Sequence, residues 1–542
     1  MQALRDPVGS KPSSRASVRL FGFAALIGSL ALLGACGGGG TDSGTIDASL
    51  SRGVLIQAPP PRLAPISAAQ LQATLQASTS GQGVLQLAGN PVCGVDLYYM
   101  NYGTVGGRGE ATNATGAIMV PSGTGAQCSG ARPVVLWAHG TTTDRGYNMA
   151  DIQNNGESAL AAALFAAQGY IVVAPNYAGY DASRLPYHPY LNADQSSKEM
   201  IDALTAARAA LRDGRLATTN QGAARVSDNG KLYIFGYSQG GHVAMATHRA
   251  LQTAGQTVTA TAPSAGPYAM LAFGDAVFYG NVNLGSTVFT PLLATSYQKA
   301  YGDIYGQTTD LYTAQFATGI ETLLPSGTDI AQIFQQGKLP QTQLFSSTPP
   351  TAPAGSPAQV QATLNAITPP TQPPAFAPLF ALGFGSTPLI NNNARLAYLL
   401  DAFANPDGAV PTLTTGAPAA NPGNTLRRAF KANDLRNWTP ARPTLLCGGN
   451  GDPTVFFTNT QLMQGLWTAP SPLAPPAGIV TVLDVDSAPT GPNDPFAAAK
   501  LGFAQVKAAG IAAGGQTGWI QQYHGAAAPF CAAAARGFFS QF

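Results

Sequence analysis

Charge is scarce in this chain. Lys plus Arg number 28 and Asp plus Glu 26, so charged residues make up only 10% of 542 and the net charge is +2. Without a basic face there is no electrostatic footprint for nucleic acid, and polyanion partners are excluded. Long apolar runs are also missing: the stretch Leu20 to Leu33 is too short to span a bilayer. Histidine occurs only five times, which leaves few candidates for any imidazole chemistry. What the chain does have is 45% hydrophobic residues, 62 Gly and 42 Pro, the balance of a large core joined by many turns rather than of a disordered polymer.

The N-terminus reads as an address. Arg5, Lys11, Arg15 and Arg19 precede the apolar run Leu20 to Leu33, as in an export signal. The run ends in Leu33-Gly34-Ala35-Cys36 followed by Gly37 to Gly40, which resembles the lipobox of bacterial lipoproteins. That resemblance implies a signal peptide over 1–35 and Cys36 as a lipid anchor to the cell envelope, at the outer membrane in a Gram-negative source. If Cys36 is not acylated, the chain is secreted. Four cysteines remain, Cys93, Cys128, Cys447 and Cys531, an even number suited to two disulfides in an oxidising compartment. Three pairings are open, as are four free thiols; Cys93 with Cys128 and Cys447 with Cys531 is the most economical in the fold derived next.

Residues 36–81 mix Gly, Ser, Pro and Gln and read as a tether. Eight runs rich in β-branched, aromatic and other apolar residues follow: Val95 to Tyr102, Ala114 to Val120, Pro133 to Ala138, Tyr170 to Ala174, Lys231 to Phe235, Val258 to Ala262, Pro443 to Cys447 and Ile479 to Val485. From the third onward they alternate with helical patterns, best in Ser196 to Arg212, where Met200, Leu204, Ala207 and Leu211 share a face. This alternation predicts an α/β fold: a mixed sheet that begins antiparallel, becomes parallel, and carries helices on both faces. It breaks over 266–437, too long for a loop, which predicts a large inserted cap between core segments 82–265 and 438–542. Nine prolines between Pro349 and Pro378 suggest an extended strap within the cap.

The chemistry is carried by Gly236-Tyr237-Ser238-Gln239-Gly240-Gly241, which follows the strand Lys231 to Phe235 and precedes a helical pattern. Small residues two before and two after Ser238 permit the sharp strand-to-helix turn that exposes a serine nucleophile and aims the Gln239 amide at an oxyanion. The base should lie downstream of the last strands. Only His524 does so, in Tyr523-His524-Gly525, read as a loop ahead of an Ala-rich helix; His139, His188, His242 and His248 all come earlier. The orienting acid should follow the strand Pro443 to Cys447, where Asp452 stands, with Asp484, Asp486 and Asp494 as rivals. A Cys447–Cys531 bridge would then staple the acid loop to the histidine. His139-Gly140-Thr141 after Val134 to Ala138 supplies the other oxyanion donor, either the Thr141 or the Thr142 amide.

Together Trp137-Ala138-His139-Gly140-Thr141, Ala174-Pro175-Asn176-Tyr177-Ala178-Gly179-Tyr180, His188-Pro189-Tyr190-Leu191, the Ser238 motif and Gly451-Asp452-Pro453-Thr454-Val455 resemble the α/β-hydrolase superfamily, in particular its secretory-lipase-like branch. The resemblance runs from about Pro133 to His524. It implies an exported esterase or lipase on a small-molecule or lipid-like ester, with a capped serine and neither metal nor organic cofactor. Asp181 departs from the Gly-x-Gly ending common in the superfamily, and the resemblance does not extend to the cap, so acyl preference stays open. Peptide or amide hydrolysis, acyl transfer, and a non-catalytic lipid-anchored binding protein are the alternative readings.

Overall fold

In the chain's computed structural model, residues 50–212, 216 and 224–542 are described. The signal segment and Cys36 lie outside the described residues. Ten strands form in chain order: β1 (Gly94–Val105), β2 (Ala111–Ser122), β3 (Ala131–Ala138), β4 (Ile171–Pro175), β5 (Ser227–Tyr237), β6 (Ala260–Ser264), β7 (Phe345–Ser346), β8 (Phe384–Gly385), β9 (Thr444–Gly448) and β10 (Val480–Asp484). Eight make one sheet in the order β1-β2-β4-β3-β5-β6-β9-β10, while β7 and β8 pair by themselves. β2 runs antiparallel to β1 and to β4, and all other pairs in the large sheet are parallel. Each of the eight expected strands is present.

Period-two alternation sends the two faces of β3 into different cores. Val135 and Trp137 join a cluster with Leu160, Ala161, Ala527 and Cys531, under the helix Gly156–Leu164 and the C-terminal helix. Val134, Leu136 and Ala138 join Met200, Leu204, Val243 and Leu251 under the helices Ala193–Arg212 and Gln239–Thr253. Both faces are therefore sealed, as a largely parallel sheet requires.

Two expectations need correction. From residue 50 onward, the stretch read as a tether does not hang free. Arg52, Leu55, Arg62 and Ile66 bridge to Gly103, Tyr102, Tyr98 and Val95 of β1, and the helices Ala68–Gln76 and Thr79–Ala88 place Leu71, Leu75 and Ala88 in the core. The physical reason is that β1 would otherwise expose an unpaired sheet edge. The proline-rich part of the cap is also not one extended strap, because it folds the helices Ala358–Ala366 and Ala377–Ala381. Its prolines sit before, between and at the starts of these helices, where they cost no helical hydrogen bond.

The inserted segment packs around Phe278, Tyr297, Tyr398 and Phe430, and Tyr190 and Leu191 of the core enter the same cluster. Buried ion pairs hold it, with Arg427 at 2.7 Å from both Asp275 and Asp401 and Arg436 between Asp407 and Asp434. Among the cap aromatics, Phe278 and Tyr297 are core, Tyr279 is buried, Tyr301 is 42% exposed, and Phe273 lines a cavity described below.

Candidate active site

Ser238, Gln239, Thr141 and Asp452 follow the carboxyl ends of parallel strands, the rim where ligands meet sheets of this type, and His524 reaches that rim from the C-terminal helix. Ser238 follows β5 directly and opens the helix Gln239–Thr253, with φ 61° and ψ −123°. A non-glycine residue there is strained and persists only if its surroundings enforce it. The glycines do so: a Cβ on Gly236 would stand 2.0 Å from the Gly240 carbonyl oxygen, one on Gly240 2.0 Å from the Ala138 oxygen, and one on Gly241 2.3 Å from the Ser264 oxygen. The Ser238 N–H donates to the Ser264 carbonyl at 3.0 Å, and the Ser238 carbonyl accepts from Gly241 at 2.9 Å. The Gln239 N–H has no acceptor among the described residues at the helix start, where backbone N–H groups and the helix dipole favour an anion.

Asp452 sits four residues beyond β9, 2% exposed. Its Oδ1 accepts the Thr454 and Val455 N–H groups at 2.8 and 3.1 Å, and its Oδ2 lies 2.6 Å from His524 Nδ1. The rivals are engaged elsewhere. Asp484 accepts the Asn450 and Asp486 N–H groups, Asp486 pairs with Lys507 and Tyr523, and Asp494 pairs with Lys500.

His524 is not in a loop. The chain is helical from Ala497 to Phe539 apart from a break at Gly515 (φ 65°, ψ −178°), and His524 lies about two and a half turns past that break. Ala526 to Ala528 and Ala532 to Ala535 favour helix strongly enough to carry it through Gly525 and Pro529. Seven residues is two helical turns, so His524 and Cys531 share a face. Cys531 bonds to Cys447 at the end of β9, and this bridge fixes the helix beside the acid loop. Tyr523 adds a second tie: its hydroxyl accepts the Gly451 N–H at 3.0 Å and donates to Asp486 at 2.8 Å. The other bridge, Cys93–Cys128, joins the entry to β1 with the entry to β3, at the amino ends of those strands and so at the edge of the sheet opposite this rim.

Asp452 and His524 are thus in contact, and both are next to the turn at Ser238. The Tyr237 hydroxyl donates to the His524 carbonyl at 2.7 Å, and the two rings are 5.0 Å apart. His524 Nε2 is buried and without a hydrogen-bond partner, so the imidazole and Ser238 Oγ are not bonded in this structure.

Register explains the oxyanion side. Ala138 pairs with Gly236, which puts Gly140 level with Ser238. The Thr141 hydroxyl contacts the Tyr190 hydroxyl at 2.9 Å, and the Thr142 carbonyl accepts from Tyr180. A cap residue ties the same loop, since Ser326 donates to the Thr143 carbonyl and accepts from the Arg145 N–H. His188, which sequence reasoning passed over as chemistry, lies with Nε2 2.6 Å from the Gln239 side-chain nitrogen and Nδ1 2.9 Å from the Ala178 carbonyl. Burial pushes its imidazole down to about 3, so it is neutral and accepts the Gln239 amide. A His-Pro-Tyr-Leu segment this soon after β4 was the available signal.

A narrow cavity of about 90 Å³ is lined by Ser238 and Gln239 from the core and by Met270, Phe273, Val277, Phe278, Phe289 and Leu293 from the cap. On the other side of Phe289 a wider groove of about 490 Å³ is lined by Thr141 to Thr143, Thr287, Phe334 and Gln341. No group of metal-ligating side chains occurs among the described residues.

The sequence matches no protein-family model and no curated protein. Solved structures do resemble it. The rice cell wall degrading esterase LipA from Xanthomonas oryzae is similar with a TM-score of 0.56 and 23% identity, over 87% of this chain and 98% of that one. A Legionella pneumophila protein named as a hydrolase is similar with a TM-score of 0.56 and 17% identity, over 89% of this chain and 96% of that one. With the strand order, the strained turn after β5 and the inserted segment over the rim, these likenesses identify the architecture: the chain has the α/β-hydrolase fold.

Proposed function

We propose that the protein is a serine hydrolase of carboxylic esters. The observation that carries this reading is the contact of His524 Nδ1 with buried Asp452, beside a serine held at φ 61° on the same rim. In the proposed cycle His524 Nε2 takes the proton of Ser238 Oγ as it attacks the ester carbonyl. Asp452 holds the imidazole in the Nδ1–H tautomer and stabilises the imidazolium. The Gln239 and Thr141 N–H groups receive the oxyanion, each worth about 2.7 to 4 kcal/mol of barrier in hydrolases of this kind. His524 then protonates the leaving alcohol, and water attacks the acyl-enzyme by the same route in reverse. The unbonded Nε2 is consistent with a resting enzyme, in which catalytic hydrogen bonds tighten only with substrate present.

The apolar cavity beside Ser238 suits the acyl part of the ester, and the named activity of the similar Xanthomonas protein, an esterase, supports the same class. The test is Ser238→Ala. It should remain folded and lose both turnover of p-nitrophenyl esters and labelling by a fluorophosphonate; retained esterase activity refutes the reading. A parallel panel of aminoacyl anilides separates ester from amide hydrolysis. We propose in addition that Cys36 is acylated and anchors the enzyme to the cell envelope. Cys36→Ser should then leave the membrane fraction, and unchanged partitioning overturns the anchor.

A further inference from the structure

One carboxylate close to the serine has no part in the cycle above. Glu157, in the first turn of the helix Gly156–Leu164, accepts the Gly140 N–H on both oxygens at 3.2 Å, the Trp137 indole N–H at 3.0 Å and the Tyr147 hydroxyl at 3.3 Å. Burial pushes its carboxyl above the ordinary range, against the pull of these donors. Gly140 lies between it and the nucleophile: a Cβ built there would be 3.7 Å from Glu157 Oε2 and 4.0 Å from Ser238 Cβ. The Gly140 carbonyl is engaged too, with His139 Nδ1 at 2.6 Å.

A trans peptide points the next N–H opposite to its carbonyl. With its N–H on Glu157 and its carbonyl on His139, Gly140 has little rotational freedom, and the direction of the Thr141 N–H follows. That N–H has no acceptor among the described residues. Thr142 is held differently, its carbonyl by Tyr180 and its hydroxyl by the Asp144 N–H. A donor aimed in advance stabilises developing charge without reorganising during the reaction.

We propose that Glu157 is the positioning residue of the oxyanion hole, fixing the Gly140–Thr141 peptide so that Thr141, not Thr142, supplies the second donor. The inference rests on the serine-hydrolase reading and assigns a residue that reading does not need. A side chain that only satisfied the Trp137 indole would change stability but not the chemical step.

The experiment uses the full chain, p-nitrophenyl butyrate kinetics and binding of phenylboronic acid, which forms a tetrahedral adduct on a reactive serine. Removing an oxyanion donor outright costs about 10²- to 10³-fold in kcat, so Glu157→Ala, which only releases the donor, should lose about 10- to 100-fold. KM should stay within about twofold, and boronate affinity should fall in proportion to kcat/KM. Glu157→Gln keeps an oxygen for the Gly140 N–H and should recover to within about threefold of wild type. If Glu157→Ala does not fold, Glu157→Asp replaces it, its acceptor withdrawn by one methylene, with the same expected loss in kcat. An alanine variant with undiminished kcat overturns the proposal, as does a glutamine variant no better than alanine. Wild-type protein inert to fluorophosphonate overturns the hydrolase reading and this inference with it, whereas labelled wild type with unaffected Glu157 variants overturns this inference alone.

Discussion

His524 Nδ1 and Asp452 Oδ2 stand 2.6 Å apart although 72 residues separate them in sequence. Two covalently independent devices bring them together, the Cys447–Cys531 bridge and the Tyr523 hydroxyl seated on Gly451. The carboxylate is fixed on its other oxygen by two backbone N–H groups, so it has one direction in which to accept.

Asp452→Asn should therefore lower kcat by about 10³- to 10⁴-fold with little change in KM, because the amide can present the wrong tautomer of His524 to Ser238. Steady-state ester hydrolysis with circular dichroism as the folding control measures it. An unaffected kcat would transfer the role to Asp484 or Asp486.

Loss of the two disulfides should have unequal effects. Replacing Cys447 and Cys531 together by serine should cost about 2–5 kcal/mol of stability and should also depress kcat at temperatures where the fold persists. Replacing Cys93 and Cys128 should cost stability with kcat unchanged, since that bridge does not reach the rim. Denaturant titration beside kinetics on each double variant reads both.

Gly240→Ala should fail at the level of folding. Its Cβ would meet the Ala138 carbonyl carbon and oxygen at 2.7 and 2.0 Å, both backbone, so nothing nearby can yield cheaply. We expect destabilisation of at least about 3 kcal/mol, and an elbow displaced from β3 in any protein recovered. Soluble yield and thermal midpoint measure this. Gly525→Ala, where added carbon meets nothing, is the control.

Stability should fall as pH drops from about 6.5 toward 4. Burial holds His139, His242 and His248 down to about 4 and His188 to about 3, so they stay neutral in the fold while the unfolded chain protonates them near 6.5. The unfolded state thus binds more protons in this window, and stability rises with pH across it by up to about 1.4 kcal/mol per histidine per pH unit. Glu199, raised to about 8 by burial, acts oppositely between 4.5 and 8, where the folded state holds the extra proton. Glu157, Asp202, Asp275 and Asp484 are raised by burial too and act in the same sense as Glu199, so the acid slope is shallower than the four histidines alone would give, and above 6.5 Glu199 tilts the curve down. Thermal midpoints against pH test this. His248→Leu, which removes a ring with neither nitrogen hydrogen-bonded, should flatten the acid side.

Local chemistry made much of this protein legible in its sequence. All eight strands of the large sheet could be read because buried strands need continuous apolar, β-branched runs, and the elbow because the turn needs small residues two before and two after Ser238. Position in the chain alone narrows the candidate base to His524. Tertiary structure alone decided where distant segments meet. Residues 52 to 66 became sheet cover because β1 had an open edge, which no local pattern announces. His524 meets Asp452 because a bridge and a hydroxyl pin its helix to the loop after β9. Glu157 and His188 stayed invisible because nothing about a glutamate two residues into a helix, or a histidine before a proline, reveals which amide it will hold; that depends on the register of β3 and β5, a property of the sheet and not of either strand.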